Sequence, residues 1–77
     1  MLIGTYNATY IGKTMCGFET AHSYLIKIGK DIYGYQISGI YDLTDNDNSS
    51  AYLVYASEIS IRRNWNIEKD VTELGGD

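Results

Sequence analysis

Proline is absent from the 77 residues, and cysteine, histidine and tryptophan occur once each. A single thiol, Cys16, cannot form an internal disulfide. Small secreted domains usually need several such bridges, so a reducing, cytoplasmic setting is expected. Cys16 and His22 together fall short of the four Cys or His ligands usual in a structural zinc site, so no metal is expected. Long apolar runs are also lacking, and none approaches the roughly 20 residues that cross a bilayer as a helix. No basic segment leads into an apolar one, so neither a signal peptide nor a membrane partner is expected. The chain is too short for a dinucleotide-binding fold or for two lobes around a cleft.

Positive charge is scarce. Six Lys and Arg face ten Asp and Glu, a formal charge of −4. Binders of duplex nucleic acid gain affinity by neutralising phosphates with clustered basic side chains. Here Lys13, Lys27, Lys30, Arg62, Arg63 and Lys69 are scattered, and only Arg62 and Arg63 adjoin.

What the chain has in excess is tyrosine, eight residues beside Phe18 and Trp65. Aromatic side chains suit the pleated, half-buried surface of a sheet. Apolar residues alternate with period two along most of the chain. Residues 5–11 put Tyr6, Ala8 and Tyr10 on one face, and 12–21 read as a loop carrying Gly17 and Phe18. Residues 23–28 align Tyr24, Ile26 and Ile28, and Gly29-Lys30-Asp31 has turn chemistry. Residues 32–41 align Tyr33, Tyr35, Ile37 and Tyr41, with Gly34 and Gly39 suggesting bends or bulges. The polar stretch 42–50 reads as an exposed loop, and the apolar run 51–55 as a central strand. After a turn at 56–58, Ile59, Ile61, Trp65 and Ile67 alternate, broken only by Arg63. A helix over 57–64 competes, but Ile59 and Ile61 are two apart and do not share a helical face. The tail 69–77 is polar and expected to fray.

Five short strands and no helix predict an all-β, five-stranded SH3-like barrel over residues 1–68. Its expected core is Tyr24, Ile26, Ile28, Tyr35, Ile37, Leu53, Ile59, Ile61, Trp65 and Ile67, with one face of residues 8–11. The segment Phe18-Glu-Thr-Ala-His-Ser-Tyr24, followed by Leu25-Ile26, resembles an F/L-x-x-G-K-x-Y-x-[IV] pattern, with Ala21 in place of the glycine and His22 in place of the lysine. Together with Tyr52-Leu-Val-Tyr-Ala-Ser-Glu-Ile59, it is similar to small SH3-like barrel proteins of Gram-positive bacteria and their phages. That resemblance implies a barrel over about residues 8–68 and a phage or mobile-element setting, and it implies no catalytic residues.

No constellation for catalysis or for a cofactor emerges. Gly12-Lys13-Thr14 matches the end of a phosphate-binding loop, but Asn7 stands where its first glycine belongs. Residues 45–49 imitate half a calcium loop, but Ser50 and Ala56 occupy the Gly and Glu positions. Only His22 is available to activate Cys16, and no third group orients it.

The leading expectation is a non-enzymatic binding module that docks on a protein partner, as a phage or mobile-element accessory protein modulating a host factor. Tyr6, Tyr33, Tyr41 and Tyr55, at strand ends, are its candidate contacts, with Arg63 as an anchor that interrupts the apolar side. Homo-oligomerisation through an exposed strand edge is a variant. Two alternatives stand beside it: a nucleic-acid-binding barrel using Lys27, Lys30, Arg62 and Arg63, and an acidic nucleic-acid mimic using Asp42, Asp45, Asp47 and Glu58.

Overall fold

The computed structural model describes residues 2–70, with side chains described as far as Glu68. Six strands and one helix follow each other as β1 (Gly4–Tyr10), β2 (Ser23–Asp31), β3 (Gly34–Asp42), β4 (Asp47–Asn48), β5 (Tyr52–Tyr55), α1 (Glu58–Asn64) and β6 (Trp65–Asp70). All pairings are antiparallel and belong to one sheet, ordered β6-β1-β2-β3. The far edge of β3 is shared: Tyr35 to Ser38 pair with β5, and Tyr41 and Asp42 pair with β4. The sheet is all-β in character and does not close on itself. No helix among the described residues is long and apolar enough to cross a membrane.

Alternation places the core. Tyr6, Ala8 and Tyr10 of β1, Tyr24, Ile26 and Ile28 of β2, and Tyr35 and Ile37 of β3 are buried on one face. Side chains of successive strand residues point to opposite faces, so each of these runs feeds the same interior. Phe18, Ile61 and Trp65 complete it from the loop, the helix and the last strand. Phe18 is the hub: its ring meets Trp65 edge-on at 4.9 Å and Tyr24 at 5.1 Å. Each such buried side chain contributes roughly 1.5–3 kcal/mol, and tilted aromatic pairs add about 0.5–1.5 kcal/mol.

The loop that carries Phe18 is itself a tight hairpin. Met15 and Phe18 exchange both backbone hydrogen bonds, and Cys16 and Gly17 between them adopt φ of 54° and 89°. Two consecutive positive φ values make this turn; Gly17 accepts its value without steric cost, while Cys16 takes the left-handed region with a Cβ. Gly39 answers a different demand. A Cβ there would lie 3.0 Å from the Phe18 ring and 2.6 Å from Ser49 Oγ. The β2–β3 register shifts between Leu25 and Ile26, opposite Gly39 to Tyr41, the bulge that Gly39 had suggested.

Several expectations are corrected. The stretch read as strand from Ile59 is helical up to Asn64. Ser57 caps it, its Oγ accepting from Ser60 N–H, with Glu58 in the first turn and Arg62 and Arg63 in the last. Ile61 therefore points inward while Ile59 is 63% exposed and leaves the core. The regular spacing of Ile59, Ile61, Trp65 and Ile67 straddles a helix–strand junction, and Arg63 breaks no sheet face because it lies on the helix. The β2–β3 turn is Ile32 and Tyr33, directly after Gly29 to Asp31, which belong to β2. Asp31 Oδ1 accepts from Tyr33 N–H and supports that turn, despite its two apolar side chains. The run 51–55 contains an edge strand, Tyr52–Tyr55, not a central one, because β5 pairs only with β3. Leu53 and Ile67 are partly buried against the core, and Leu2, Phe18 and Ala51 join it. Of the polar tail, Lys69 and Asp70 still belong to β6, and 71–77 lie outside the described residues.

Candidate functional site

The β2–β3 register puts Tyr24 opposite Asp42, which brings His22, just before β2, to the end of β3. His22 Nδ1 donates to Asp42 Oδ2 at 3.0 Å. Glu19 and Asp45 carboxylate oxygens lie 3.6 and 3.8 Å from the same nitrogen. Asp42 is buried, and its second oxygen accepts from the backbone N–H groups of Thr44 and Asp45 at 2.9 and 3.0 Å. That carboxylate therefore shapes the turn after β3 and holds the imidazole at once. The His22 ring stacks on Tyr24, whose hydroxyl accepts from Glu19 N–H at 2.8 Å. Ser23 reinforces the join by donating its N–H to Thr44 Oγ1 and accepting from Leu43 N–H.

Charge follows geometry. The hydrogen bond to Asp42 holds the His22 pKa above its ordinary value; partial burial opposes this, and the charges of Asp42, Glu19 and Asp45 add to it. Burial alone would raise the Asp42 carboxyl. The His22 hydrogen bond and the two backbone donors outweigh that and hold it below the usual carboxylate range. Burial raises the Tyr24 phenol, partly offset by its bond to Glu19.

Beside this cluster opens a cleft of about 270 Å³, lined by Glu19, Tyr24, Asp42, Asp45, Asp47 and the 48–51 segment. Four of the lining residues carry carboxylates, and among the described residues no lysine, arginine or histidine lines it. Glu19 and Asp45 are more than half exposed, so their charge is offered to solvent. The donor atoms of Glu19, His22, Asp42 and Asp45 lie within 4.8 Å of one another. Their hydrogen bonds and ion pairs account for that grouping, and we assign no metal to it. Cys16 is exposed on its turn and is not part of the group.

The residues anticipated as contacts are dispersed. Tyr6 is 6% exposed and belongs to the core, so its ring offers no docking surface. Tyr33 is 81% exposed at the β2–β3 turn. Tyr55 is half-buried on β5, and its hydroxyl accepts from Trp65 Nε1–H at 3.2 Å. Tyr41 sits at the opposite end of β3, paired with Asn48. Arg63 is exposed on α1. The basic set is divided as well. Lys30 lies over the inward-facing Tyr35 ring, Lys27 is three positions away on the other face of β2, and Arg62 and Arg63 are on the helix. Of the acidic set, Asp42, Asp45 and Asp47 come together with Glu19, while Glu58 opens the helix.

Sequence reasoning missed Glu19 and the His22–Asp42 pair. A local signal existed in Asp42-Leu-Thr-Asp45, where an aspartate can accept from backbone N–H groups two and three residues on. No family model matches the chain, and neither a curated protein nor a solved structure does.

Proposed function

We propose that this chain is an SH3-like barrel serving as a non-enzymatic docking module, whose cleft receives a basic side chain of a protein partner. One observation carries the reading: four carboxylates line the cleft, and among the described residues no lysine or arginine lines it, with His22 alone standing behind Glu19, Asp42 and Asp45. A guanidinium or ammonium group would find there both charge and hydrogen-bond acceptors. The barrel reading is supported by the strand order β6-β1-β2-β3-β5 and by the short helix between the last two strands. A further support is the Trp65–Tyr55 bond, which joins strands at opposite ends of that order. The phage or mobile-element setting is part of the proposal and rests on the resemblance of residues 18–26 and 52–59.

The cleft also favours a second reading, nucleic-acid mimicry, because Glu19, Asp45 and Asp47 share one cleft. Both readings are tested by capture from the lysate of the native host, with and without nuclease. Wild type is compared with Asp45→Asn/Asp47→Asn and with the charge-matched control Asp31→Asn/Glu68→Gln. The expected result is one stoichiometric protein that survives nuclease, is lost from the cleft variant and is kept by the control. Displacement of that protein by added DNA or RNA would select mimicry. Collapse of recovery on nuclease treatment would overturn both readings in favour of Lys27, Lys30, Arg62 and Arg63. Equal loss from the control would reduce the effect to net charge.

A further inference from the structure

We propose that His22 is a proton-operated latch that holds the acidic wall of the cleft together. The geometry places one imidazole nitrogen within 4 Å of carboxylates from three different segments: Glu19 of the hairpin loop, Asp42 of β3 and Asp45 of the following turn. The phenol of Tyr24 on β2 stacks on the ring, and Asp47 of β4 lines the same cleft. No lysine or arginine is ion-paired with these carboxylates among the described residues. His22 is thus the one cation of the group.

With its proton, the imidazolium sits among three negative charges and draws the two loops together. Without it, the bond to Asp42 becomes an ordinary hydrogen bond, and the carboxylates of Glu19 and Asp45 face Asp42 uncompensated. Like charges at this separation repel, and exposed side chains relieve the repulsion by moving apart. The backbone beside the latch leaves the ordinary right-handed region on both sides. Ala21, next to His22, is strained at φ 72°, and Asn46, next to Asp45, sits at φ 54°, a left-handed conformation that asparagine tolerates. Losing the proton therefore loosens the 43–46 turn and widens the cleft, so that cleft width follows pH.

The inference goes beyond docking, and its test uses no partner, so the two stand or fall separately. The test is a pH titration of the ¹⁵N-labelled protein by NMR. The His22 ring is expected to titrate above the ordinary histidine value. The amides of Thr44 and Asp45, which donate to Asp42, should shift in step with it. Their solvent exchange, corrected for intrinsic base catalysis, should rise several-fold above the midpoint. In His22→Gln the step should vanish, and in Asp42→Asn, which keeps an acceptor for both amides, the His22 midpoint should fall. Thr44 and Asp45 amides that ignore the imidazole, or that show the same step in His22→Gln, would overturn the latch.

Discussion

Trp65 Nε1–H donates to the Tyr55 hydroxyl at 3.2 Å, a side-chain bond between two strands that share no ladder. β5 and β6 lie toward opposite ends of the sheet order, so this bond links strands that the ladders keep apart. Helix α1 spans the gap, covering the interior with Ile61 and turning the chain from one edge to the other.

Removing the acceptor should leave a buried indole N–H without its partner, since Trp65 is 2% exposed. Tyr55→Phe is expected to lower stability by about 1–2 kcal/mol. Urea denaturation followed by Trp65 fluorescence measures it. No change in the midpoint would mean that water replaces the hydroxyl.

The helix makes two isoleucines unequal. Ile61→Ala should cost about 2–5 kcal/mol, because Ile61 is fully buried. Ile59→Ser should stay within about 0.5 kcal/mol, because that side chain stands in solvent. Comparable losses in both variants would restore a strand at this position.

This contrast marks how far the sequence was legible. Alternation identified β1, β2 and β3 and most of their buried residues, because a strand with one wet face writes its own period. The competing helix over 57–64 left only a weak signal: it is seven residues long with one buried side chain, too little for an apolar stripe. Its readable sign was the cap, Ser57 with Glu58 behind it. The site escaped for another reason. His22 and Asp42 are twenty positions apart and meet only through the β2–β3 register, which a bulge shifts by one residue. Tyr6 stands near a strand end, but its parity with Ala8 and Tyr10 is the better guide to its burial.

The His22–Asp42 pair should give stability a pH window. His22 has a raised pKa in the folded state, so its contribution is full below about 6.5 and is lost as pH rises through the folded value. Asp42 has a lowered pKa, so its contribution is full above about 3.9 and is lost as pH falls through the folded value. Thermal unfolding from pH 3 to 9 should show a stability difference between wild type and His22→Gln that is greatest between those limits. A difference that keeps growing above pH 8 would contradict the assignment.

Ala21 occupies a backbone conformation that glycine adopts more cheaply, at the position where the resembling pattern has glycine. A left-handed residue with a Cβ costs about 1–2 kcal/mol, and the added freedom of glycine in the unfolded chain returns part of that. Ala21→Gly is expected to stabilise the protein by about 0.5–1 kcal/mol in chemical denaturation. A destabilised variant would show that the methyl group packs more than it strains.

The ladder between β1 and β6 governs how the molecule comes into being. Its outermost partners, Tyr6 and Asp70, are separated by almost the whole described chain. The hairpin of β2 and β3 can form early, since its strands meet across a two-residue turn. β1 can join that hairpin too, but it has an open side until the last strand arrives. Closing so long a loop delays contacts that only later repay it, which places the chain among slower-folding small domains. Until then the interior lacks Trp65, and the Phe18 ring has no indole to rest against. The assembly of the core is therefore a late event, timed by the residues nearest the carboxyl end of the sheet.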